Sequence, residues 1–238
     1  MKPDRLQWLT ARPIAHRGLH DLSLGRPENT LAAFSAAIEA RCAIECDLHP
    51  SVDGVPVVFH DDDLGRLTGA SGCVRDRSAA ELSRLIVAET REGIPLLDEL
   101  LDLVGGRVPL VIELKHMNGR DAGFARTVVK ALRNYDGPAA LMSFDIGLIA
   151  EIRAADAQMP RGLTADGGWR AGFDHLMSAR RLDVNFISYS IDDLPNAAMM
   201  LARSILDIPL ICWTVRTPEQ RRKAAIWSDQ ITFEGFTP

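Results

Sequence analysis

Residues 15–61 read AHRGLHDLSLGRPENTLAAFSAAIEARCAIECDLHPSVDGVPVVFHD and decide the fold. His16 and His60, near the two ends of this stretch, each follow a short apolar run. Between them, Glu45 and Asp47 end another apolar run. Because strand side chains alternate, both carboxylates share one face and the cysteine between them points away. Two converging carboxylates repel each other unless a cation lies there, so the stretch predicts a metal-assisted site with two histidines to transfer protons.

The last part of this stretch predicts a hairpin. Asp53-Gly54 lies between two apolar runs, which is typical of a tight turn. A turn this short joins antiparallel strands, because parallel neighbours need a crossover of about a dozen residues or more. We therefore predict that the strand ending at His60 folds back over the other strands and is not one of the regular parallel strands.

Eight other apolar runs alternate with amphipathic segments. The runs lie at residues 13–16, 43–48, 108–115, 139–144, 162–164, 185–190, 210–215 and 231–233. Helices are predicted at residues 31–38, 96–104, 145–155, 173–180, 193–205 and from 217 onward. The predicted caps are Asn29 or Thr30, Ser78, Asp145, Asp193 and Thr217.

Alternation of strands and helices favours right-handed parallel crossovers, and eight such units predict a closed (β/α)8 TIM barrel. A small inserted segment, at about residues 51–107, follows the second strand. The prediction is a single domain over residues 1–238, and an open doubly wound α/β sheet is the alternative.

Composition narrows the range of partners. The 238 residues are 47% hydrophobic and carry a net charge of -5. No basic stripe is present to neutralise phosphates, so a nucleic-acid partner is not expected. No segment is long and apolar enough to span a bilayer, and the first ten residues lack an apolar signal core. The four cysteines lack paired zinc-type spacing and predict free thiols in a cytoplasmic protein, whose oligomeric state stays open.

Polar residues cluster where predicted strands end, which in a barrel of this type is the catalytic face. They are His16, Arg17, Glu45, Asp47, Glu113, Lys115 and Trp213. Ion pairing alone is one interpretation, for example between Lys115 and Glu45. A second such pair would join Arg17 to Asp47. That interpretation leaves the histidines at the strand ends unexplained, so we favour a functional site.

The residue types indicate phosphoryl chemistry on a hard-oxygen metal site. Three carboxylates without sulfur ligands favour Mg²⁺ or Ca²⁺, whereas histidine ligation would shift the preference towards zinc or Mn²⁺. Arg17 and Lys115 supply fixed positive charge suited to a phosphate. The sequence has neither a Gly-rich nucleotide loop nor a Gly-x-Ser-x-Gly elbow, which argues against nucleotide-driven and serine-hydrolase chemistry.

Several ordered motifs resemble the glycerophosphodiester phosphodiesterase family. They are AHRG at 15–18, PENT at 27–30, E-x-D at 45–47, DG at 53–54, VVFHD at 57–61, IELK at 112–115, SF at 143–144 and WTV at 213–215. The resemblance implies a (β/α)8 barrel with an insertion after the second strand. It also implies hydrolysis of small-molecule glycerophosphodiesters to glycerol 3-phosphate and an alcohol with a divalent cation.

The same resemblance assigns roles to individual residues. Carried over by motif, the metal ligands are Glu45, Asp47 and Glu113, the general acid/base pair is His16 and His60, and the substrate contacts are Arg17, Lys115 and Trp213. The chain departs from the family pattern at His49-Pro50 and at Glu234, where the family commonly has an aspartate. The alcohol group of the substrate therefore stays open.

Other functions remain alternatives at this point. A lysophospholipase-D-like enzyme or a lyase on the same barrel would use the same residues, and a non-catalytic phosphodiester- or metal-binding protein would need only part of them. An isomerase or aldolase barrel is disfavoured, because no lysine is uniquely placed for a Schiff base. The sequence does not assign which histidine acts as the acid and which as the base.

Overall fold

Eight parallel strands close into a barrel in the computed structural model, which describes residues 6–237. The strands are β1 (Ile14–Ala15), β2 (Ala43–Pro50), β3 (Pro56–Val58), β4 (Leu110–Leu114), β5 (Ala139–Ser143), β6 (Arg161–Ala165), β7 (Phe186–Ser190), β8 (Leu210–Val215) and β9 (Gln230–Phe233). Strand β1 pairs in parallel with both β2 and β9, which closes the ring. The predicted TIM barrel is therefore confirmed, and the open sheet is wrong.

The remaining strand, β3, forms the predicted hairpin. It runs antiparallel to β2, with Leu48 opposite Val58. The turn between them places Gly54 at φ 78°, a left-handed conformation that glycine adopts without a steric penalty. The hairpin returns the chain along β2, and the Phe59 N–H donates to the Asp47 carbonyl oxygen at 3.0 Å. This hydrogen bond places His60, the next residue, beside the carboxyl end of β2.

Helices connect the strands. They are α1 (Gln7–Thr10), α2 (Leu31–Glu39), α3 (Gly65–Thr68), α4 (Ala79–Leu82), α5 (Leu97–Val104), α6 (Phe124–Leu132), α7 (Ile146–Ala155), α8 (Trp169–Leu182), α9 (Ala197–Ile205) and α10 (Pro218–Trp227). Of the two candidate caps for α2, Thr30 is the one used, and the predicted capping box at Ser78 is present.

The short helices α1 and α3 were not predicted, and two of the longer helices also differ from the prediction. Helix α6 was not predicted, and Gly123 at its N-cap offers no side-chain signal for a helix start. Helix α9 does not begin at Asp193, because Asn196 is its N-cap and accepts from the Ala198 N–H at 3.1 Å. The Asp193 carboxylate instead accepts from the Gly167 N–H at 2.8 Å, so it supports the preceding loop.

Strand alternation sorts side chains between two layers. One cluster fills the barrel interior below the carboxyl ends of the strands. It consists of Leu9 of α1 and the strand residues Ile14, Ala43, Val111, Ala140, Met142, Phe186 and Ile211. The neighbouring strand residues, among them Cys46, belong to the larger core between barrel and helices. Because Glu45 and Glu113 follow Ala43 and Val111 by two residues, both carboxylates also point into the barrel, above the apolar layer.

The inserted segment has an apolar core of its own. It consists of Val57, Phe59, Leu64, Val74, Ala79, Leu82, Val87 and Ile94. The hairpin strand that leads to His60 therefore packs against the insertion as well as against β2. Residues 1–5 and 238 lie outside the described residues, so the predicted single domain over 1–238 and the predicted absence of a signal segment in the first ten residues stay predictions.

Two further expectations from composition can be compared with the structure. All four cysteines are free thiols, and Cys42, Cys46 and Cys212 are buried. Within residues 6–237, none of the helices combines the length and the apolar character needed to cross a bilayer.

Candidate active site

Two neighbouring strands bring the predicted carboxylates together at their carboxyl ends. Glu45 and Asp47 lie on β2, and Glu113 lies on β4 directly opposite Asp47 in the register of the two strands. One oxygen from each of the three side chains lies within 4.8 Å of the others, and all three residues are buried. The three acidic groups therefore form one buried cluster, in which Glu45 and Asp47 share a face of β2 as the alternation of side chains predicted.

Two cationic side chains contact this cluster. The Lys115 ammonium lies 2.8 Å from Asp47 and 2.5 Å from Glu113. The Arg17 Nε lies 3.5 Å from Asp47, and its backbone N–H donates to Glu45 at 2.8 Å. Of the two ion pairs suggested from the sequence, Arg17 with Asp47 is therefore present, whereas Lys115 pairs with the other two carboxylates and not with Glu45.

The charges within the cluster do not balance. Three carboxylates face two fixed cations, so one negative charge is left over. Burial raises the pKa of Glu45 well above its ordinary value, and the charges of Asp47 and Glu113 raise it further. Burial also opposes ionisation of Asp47, but the Lys115 ammonium and the His60 ring outweigh it and lower the pKa of Asp47. An added cation would remove the imbalance that falls on Glu45.

His16 enters the cluster from the end of β1. Its backbone N–H donates to the Phe233 carbonyl oxygen at 2.9 Å, and its Nδ1 lies 2.5 Å from the Glu234 carboxylate. The Nε2 atom lies 4.0 Å from Glu45. Burial lowers the pKa of His16, although the hydrogen bond to Glu234 opposes that shift. Glu234 also contacts the Arg216 Nε at 2.5 Å, which holds the carboxylate in place.

His60 reaches the cluster from the inserted hairpin. Its Nδ1 lies 2.6 Å from the Asp61 carboxylate, which is a hydrogen-bond distance. Asp61 in turn binds Arg66 through both oxygens, at 2.5 and 3.0 Å. Burial lowers the pKa of His60, so its neutral form is favoured near neutral pH. Each histidine thus has one ring nitrogen held by a carboxylate.

The two histidines, the three carboxylates and the two cationic side chains line one pocket of about 210 Å³. Its lining includes the eight residues predicted from the sequence, which are His16, Arg17, Glu45, Asp47, His60, Glu113, Lys115 and Trp213. The indole of Trp213 donates to the Ser188 carbonyl oxygen at 3.1 Å and packs edge-to-face against Phe144 with ring centroids 5.5 Å apart. Trp213 on β8 and Phe144, which follows β5, therefore form an aromatic wall of the pocket.

Several pocket and supporting residues were not among the predicted site residues. Asn29 donates to the Asp47 carboxylate at 2.8 Å, and Asp61 holds His60. Both belong to motifs quoted above, PENT and VVFHD, so the motifs contain a sequence signal for these two residues. The pocket residues Thr164, Ser188, Arg216 and Thr232 have no such motif, and only barrel closure brings them there.

The residues present fit a divalent cation. Carboxylate oxygens are the ligands that Mg²⁺ and Ca²⁺ prefer, and the buried cluster offers three of them with one uncompensated negative charge. No cysteine lies among the pocket residues, so soft-metal ligation by sulfur is not supported.

Comparison with known proteins gives a match over most of the chain. The model of the glycerophosphoryl diester phosphodiesterase family matches residues 16–231. The glycerophosphodiester phosphodiesterase of Caldanaerobacter subterraneus subsp. tengcongensis is 36% identical over 131 residues, which make up 52% of this chain and 53% of that protein. The chain thus spans about half the length of the curated relatives it matches.

Solved structures extend the similarity to the whole barrel. A phosphodiesterase from Oleispira antarctica, in complex with the product sn-glycerol-3-phosphate, is similar over 95% of this chain and 94% of that chain, with a TM-score of 0.83 and 24% identity. A glycerophosphodiester phosphodiesterase from Thermotoga maritima is similar over 92% of each chain, with a TM-score of 0.76 and 27% identity.

Proposed function

The chain belongs to the glycerophosphoryl diester phosphodiesterase family, and from that premise we propose that it hydrolyses a glycerophosphodiester to glycerol 3-phosphate and an alcohol. The observation that carries the proposal is one pocket in which two carboxylate-held histidines flank a buried acidic cluster with Arg17 and Lys115. The product named for the Oleispira antarctica phosphodiesterase, sn-glycerol-3-phosphate, supports the same substrate class.

The proposed metal ligands are Glu45, Asp47 and Glu113, and the proposed ion is Mg²⁺ or Ca²⁺, with Mn²⁺ as an alternative. When bound, such a cation supplies positive charge that polarises a phosphoryl group. The acidic cluster itself lies deep in the pocket, which excludes bulk water from the charges and strengthens their interactions. Lys115 bridges two of the carboxylates and keeps them from repelling each other.

His16 and His60 are the proposed general acid/base pair. Nδ1 of each ring is held by a carboxylate, Glu234 for His16 and Asp61 for His60, so Nε2 is the atom left to exchange a proton with the substrate. One ring takes a proton from the attacking oxygen, and the other gives a proton to the leaving alkoxide. Burial lowers the pKa of both rings.

The remaining pocket groups are proposed to bind the substrate. Arg17 and Lys115 supply fixed positive charge for the phosphate oxygens. The aromatic wall of Trp213 and Phe144 provides an apolar surface for the carbon skeleton. The attacking oxygen comes from water or from a neighbouring glycerol hydroxyl through a cyclic phosphate, and the identity of the alcohol is left to experiment.

The four free thiols fit a reducing compartment, so we propose a cytoplasmic location.

A substrate and metal screen tests the proposed function. The purified protein is incubated with glycerophosphocholine, glycerophosphoethanolamine and glycerophosphoinositol, each with Mg²⁺, Ca²⁺ or Mn²⁺, and glycerol 3-phosphate is measured. We expect turnover of at least one diester that stops when a chelator removes the cation. Absence of turnover under every condition would favour a non-catalytic binding protein, and release of phosphocholine in place of glycerol 3-phosphate would contradict the proposed cleavage.

Substitution of the histidines tests their roles. His16→Ala and His60→Ala are each expected to reduce kcat by at least about a hundredfold, because general acid or base catalysis is lost. His175→Ala is the matched control, since His175 lies on α8 and does not line the pocket. A near-normal kcat in either pocket variant would remove that residue from the mechanism.

The source of the attacking oxygen separates hydrolysis from a lyase reaction. In ¹⁸O-water a hydrolase places one solvent oxygen on the phosphorus of glycerol 3-phosphate. A pure lyase leaves a cyclic phosphate without solvent oxygen, and that product would contradict the hydrolase proposal.

A further inference from the structure

A buried histidine and a buried arginine connect the backbones of two pocket residues, His60 and Lys115, although neither of them lines the pocket. His49 lies on β2, two residues beyond Asp47, and Arg75 lies in the insertion. Only 1% of His49 and 2% of Arg75 is exposed. Neither residue belongs to the proposed catalytic or substrate-binding groups, and His49 is a position at which the chain departs from the family pattern. Fully buried polar side chains of this size need a complete set of partners.

The hydrogen bonds of His49 are fixed by the chemistry of its partners. The Arg75 Nε–H is always a donor, and it lies 3.1 Å from Nδ1 of His49. Nδ1 must therefore accept, which places the ring proton on Nε2. That atom lies 3.1 Å from the backbone carbonyl oxygen of His60, to which it donates.

The rest of the Arg75 guanidinium extends the connection to the backbone of Lys115. One terminal nitrogen donates to the Lys115 carbonyl oxygen at 2.6 Å. The other pairs with the Asp121 carboxylate, which balances the buried charge. The result is a continuous path from the backbone of His60 through two buried side chains to the backbone of Lys115.

We propose that His49 and Arg75 are positioning residues that hold the backbone of His60 and the backbone of Lys115 at a fixed separation. This inference rests on the proposed function, in which His60 transfers a proton and Lys115 contacts the phosphate. His60 follows the hairpin strand β3 and Lys115 follows β4, and β2 lies between these two strands, so no strand pairing joins the one to the other directly. Loss of the path leaves both side chains present but misplaced, and misplacement of about 1 Å costs about a hundredfold in rate.

The test compares variants that remove the path with variants that keep it. His49→Leu removes both hydrogen bonds, and Arg75→Met removes the guanidinium. His49→Gln keeps one acceptor and one donor on a single amide and is the rescue variant. Arg161→Met is the matched control, because Arg161 is equally buried but lies at the first residue of β6, at the opposite end of the barrel. Its guanidinium donates to backbone carbonyl oxygens there, as at Leu182, 3.1 Å away.

Two readouts are measured on each variant, kcat and KM for the diester preferred in the screen, and hydrogen exchange of the Phe59 and Lys115 amides. We expect His49→Leu and Arg75→Met to lower kcat by about a hundredfold, more than they raise KM. Exchange of both amides should accelerate about tenfold. His49→Gln should keep most of the activity, and Arg161→Met should lower the melting temperature without either effect.

The two proposals fail in different ways. If the wild-type protein turns over no diester, the proposed function fails and exchange alone decides the positioning role, with faster exchange supporting it and unchanged exchange overturning it. If the wild type is active, a His49→Leu variant with near-normal kcat and unchanged exchange overturns it, even where Arg75→Met does not fold. An equal loss of kcat in Arg161→Met would show that the loss in the other variants comes from general destabilisation, and it would also overturn the positioning role.

Discussion

At the scale of single residues, Glu234 shows how one carboxylate controls a reactive ring. It lies 2.5 Å from His16 Nδ1 and 2.5 Å from the Arg216 Nε, so it is held at one oxygen while the other orients the imidazole. Although burial opposes ionisation, the hydrogen bond from His16 keeps the pKa of Glu234 well below its ordinary value. Glu234 therefore stays ionised and fixes which nitrogen of His16 faces the pocket.

We predict that Glu234→Ala lowers kcat by about a hundredfold, because the His16 ring loses both its orientation and its preferred tautomer. Glu234→Asp, which keeps a carboxylate on a shorter side chain, should recover part of that loss. Steady-state kinetics on the preferred diester measures both. Glu219→Ala is the control, since the Glu219 side chain is 89% exposed on α10. Equal kcat values for Glu234→Ala and the wild type would show that His16 does not depend on this carboxylate.

The sequence could indicate eight residues that line the pocket because each one ends a strand or belongs to a compact motif. It could not indicate their partners in the same way. Glu234 is 218 residues from His16, and the two meet only because β9 pairs with β1. The pairing of Lys115 was misjudged for a related reason, since the strand register that places Glu113 opposite Asp47 has no local sequence signal.

At the scale of elements, the contact between α8 and α9 depends on a glycine and a cap. Asn196 accepts from the first N–H groups of α9. Gly172 on α8 lies so close that a Cβ there would be 2.4 Å from the Asn196 Oδ1. The Asn196 side chain is buried and cannot move without giving up the cap. The steric cost therefore outweighs the gain of about 1 kcal/mol that alanine normally brings to a helix interior.

We predict that Gly172→Ala lowers the free energy of unfolding, against the usual helix preference. Asn196→Ala alone should cost about 1 kcal/mol as the cap is lost. In the double variant the clash disappears, so Gly172→Ala should become neutral or stabilising in the Asn196→Ala background. Urea unfolding of the four proteins measures this cycle. Additive single effects would mean that Gly172 and Asn196 do not interact.

Where a cap residue was predicted, the start of the helix is confirmed for α2, α4, α7 and α10 and is wrong for α9. Thr30, Ser78 and Asp145 each accept from a first-turn N–H, as their residue types suggest. Helix α6 starts after Gly123, which has no side chain with which to signal. For α9, Asp193 and Asn196 are equally good cap types, and tertiary contacts decide between them. The Asp193 carboxylate already accepts a hydrogen bond from the Gly167 N–H, so Asn196 caps the helix.

At the scale of the whole molecule, closure of the barrel concentrates charge that no single strand would tolerate. Buried carboxylates on neighbouring strands are compensated by Lys115 alone on one side and by Arg17 on the other, with one negative charge left over. A ligand that binds only the folded state stabilises it in proportion to the logarithm of its concentration. Global stability therefore reports on cation binding without any need for turnover.

We predict that Mg²⁺, Ca²⁺ or Mn²⁺ raises the melting temperature of the wild-type protein by about 5 °C near a hundredfold excess over Kd. Glu113→Gln should abolish most of that rise. Lys115→Met should melt below the wild type without the cation, because Asp47 and Glu113 then repel each other, and should gain more than the wild type when the cation is added. Differential scanning fluorimetry at constant ionic strength, with KCl as the control, measures all three. The same gain in Glu113→Gln as in the wild type would place the cation elsewhere, and no gain in any variant would contradict a cation site in the acidic cluster.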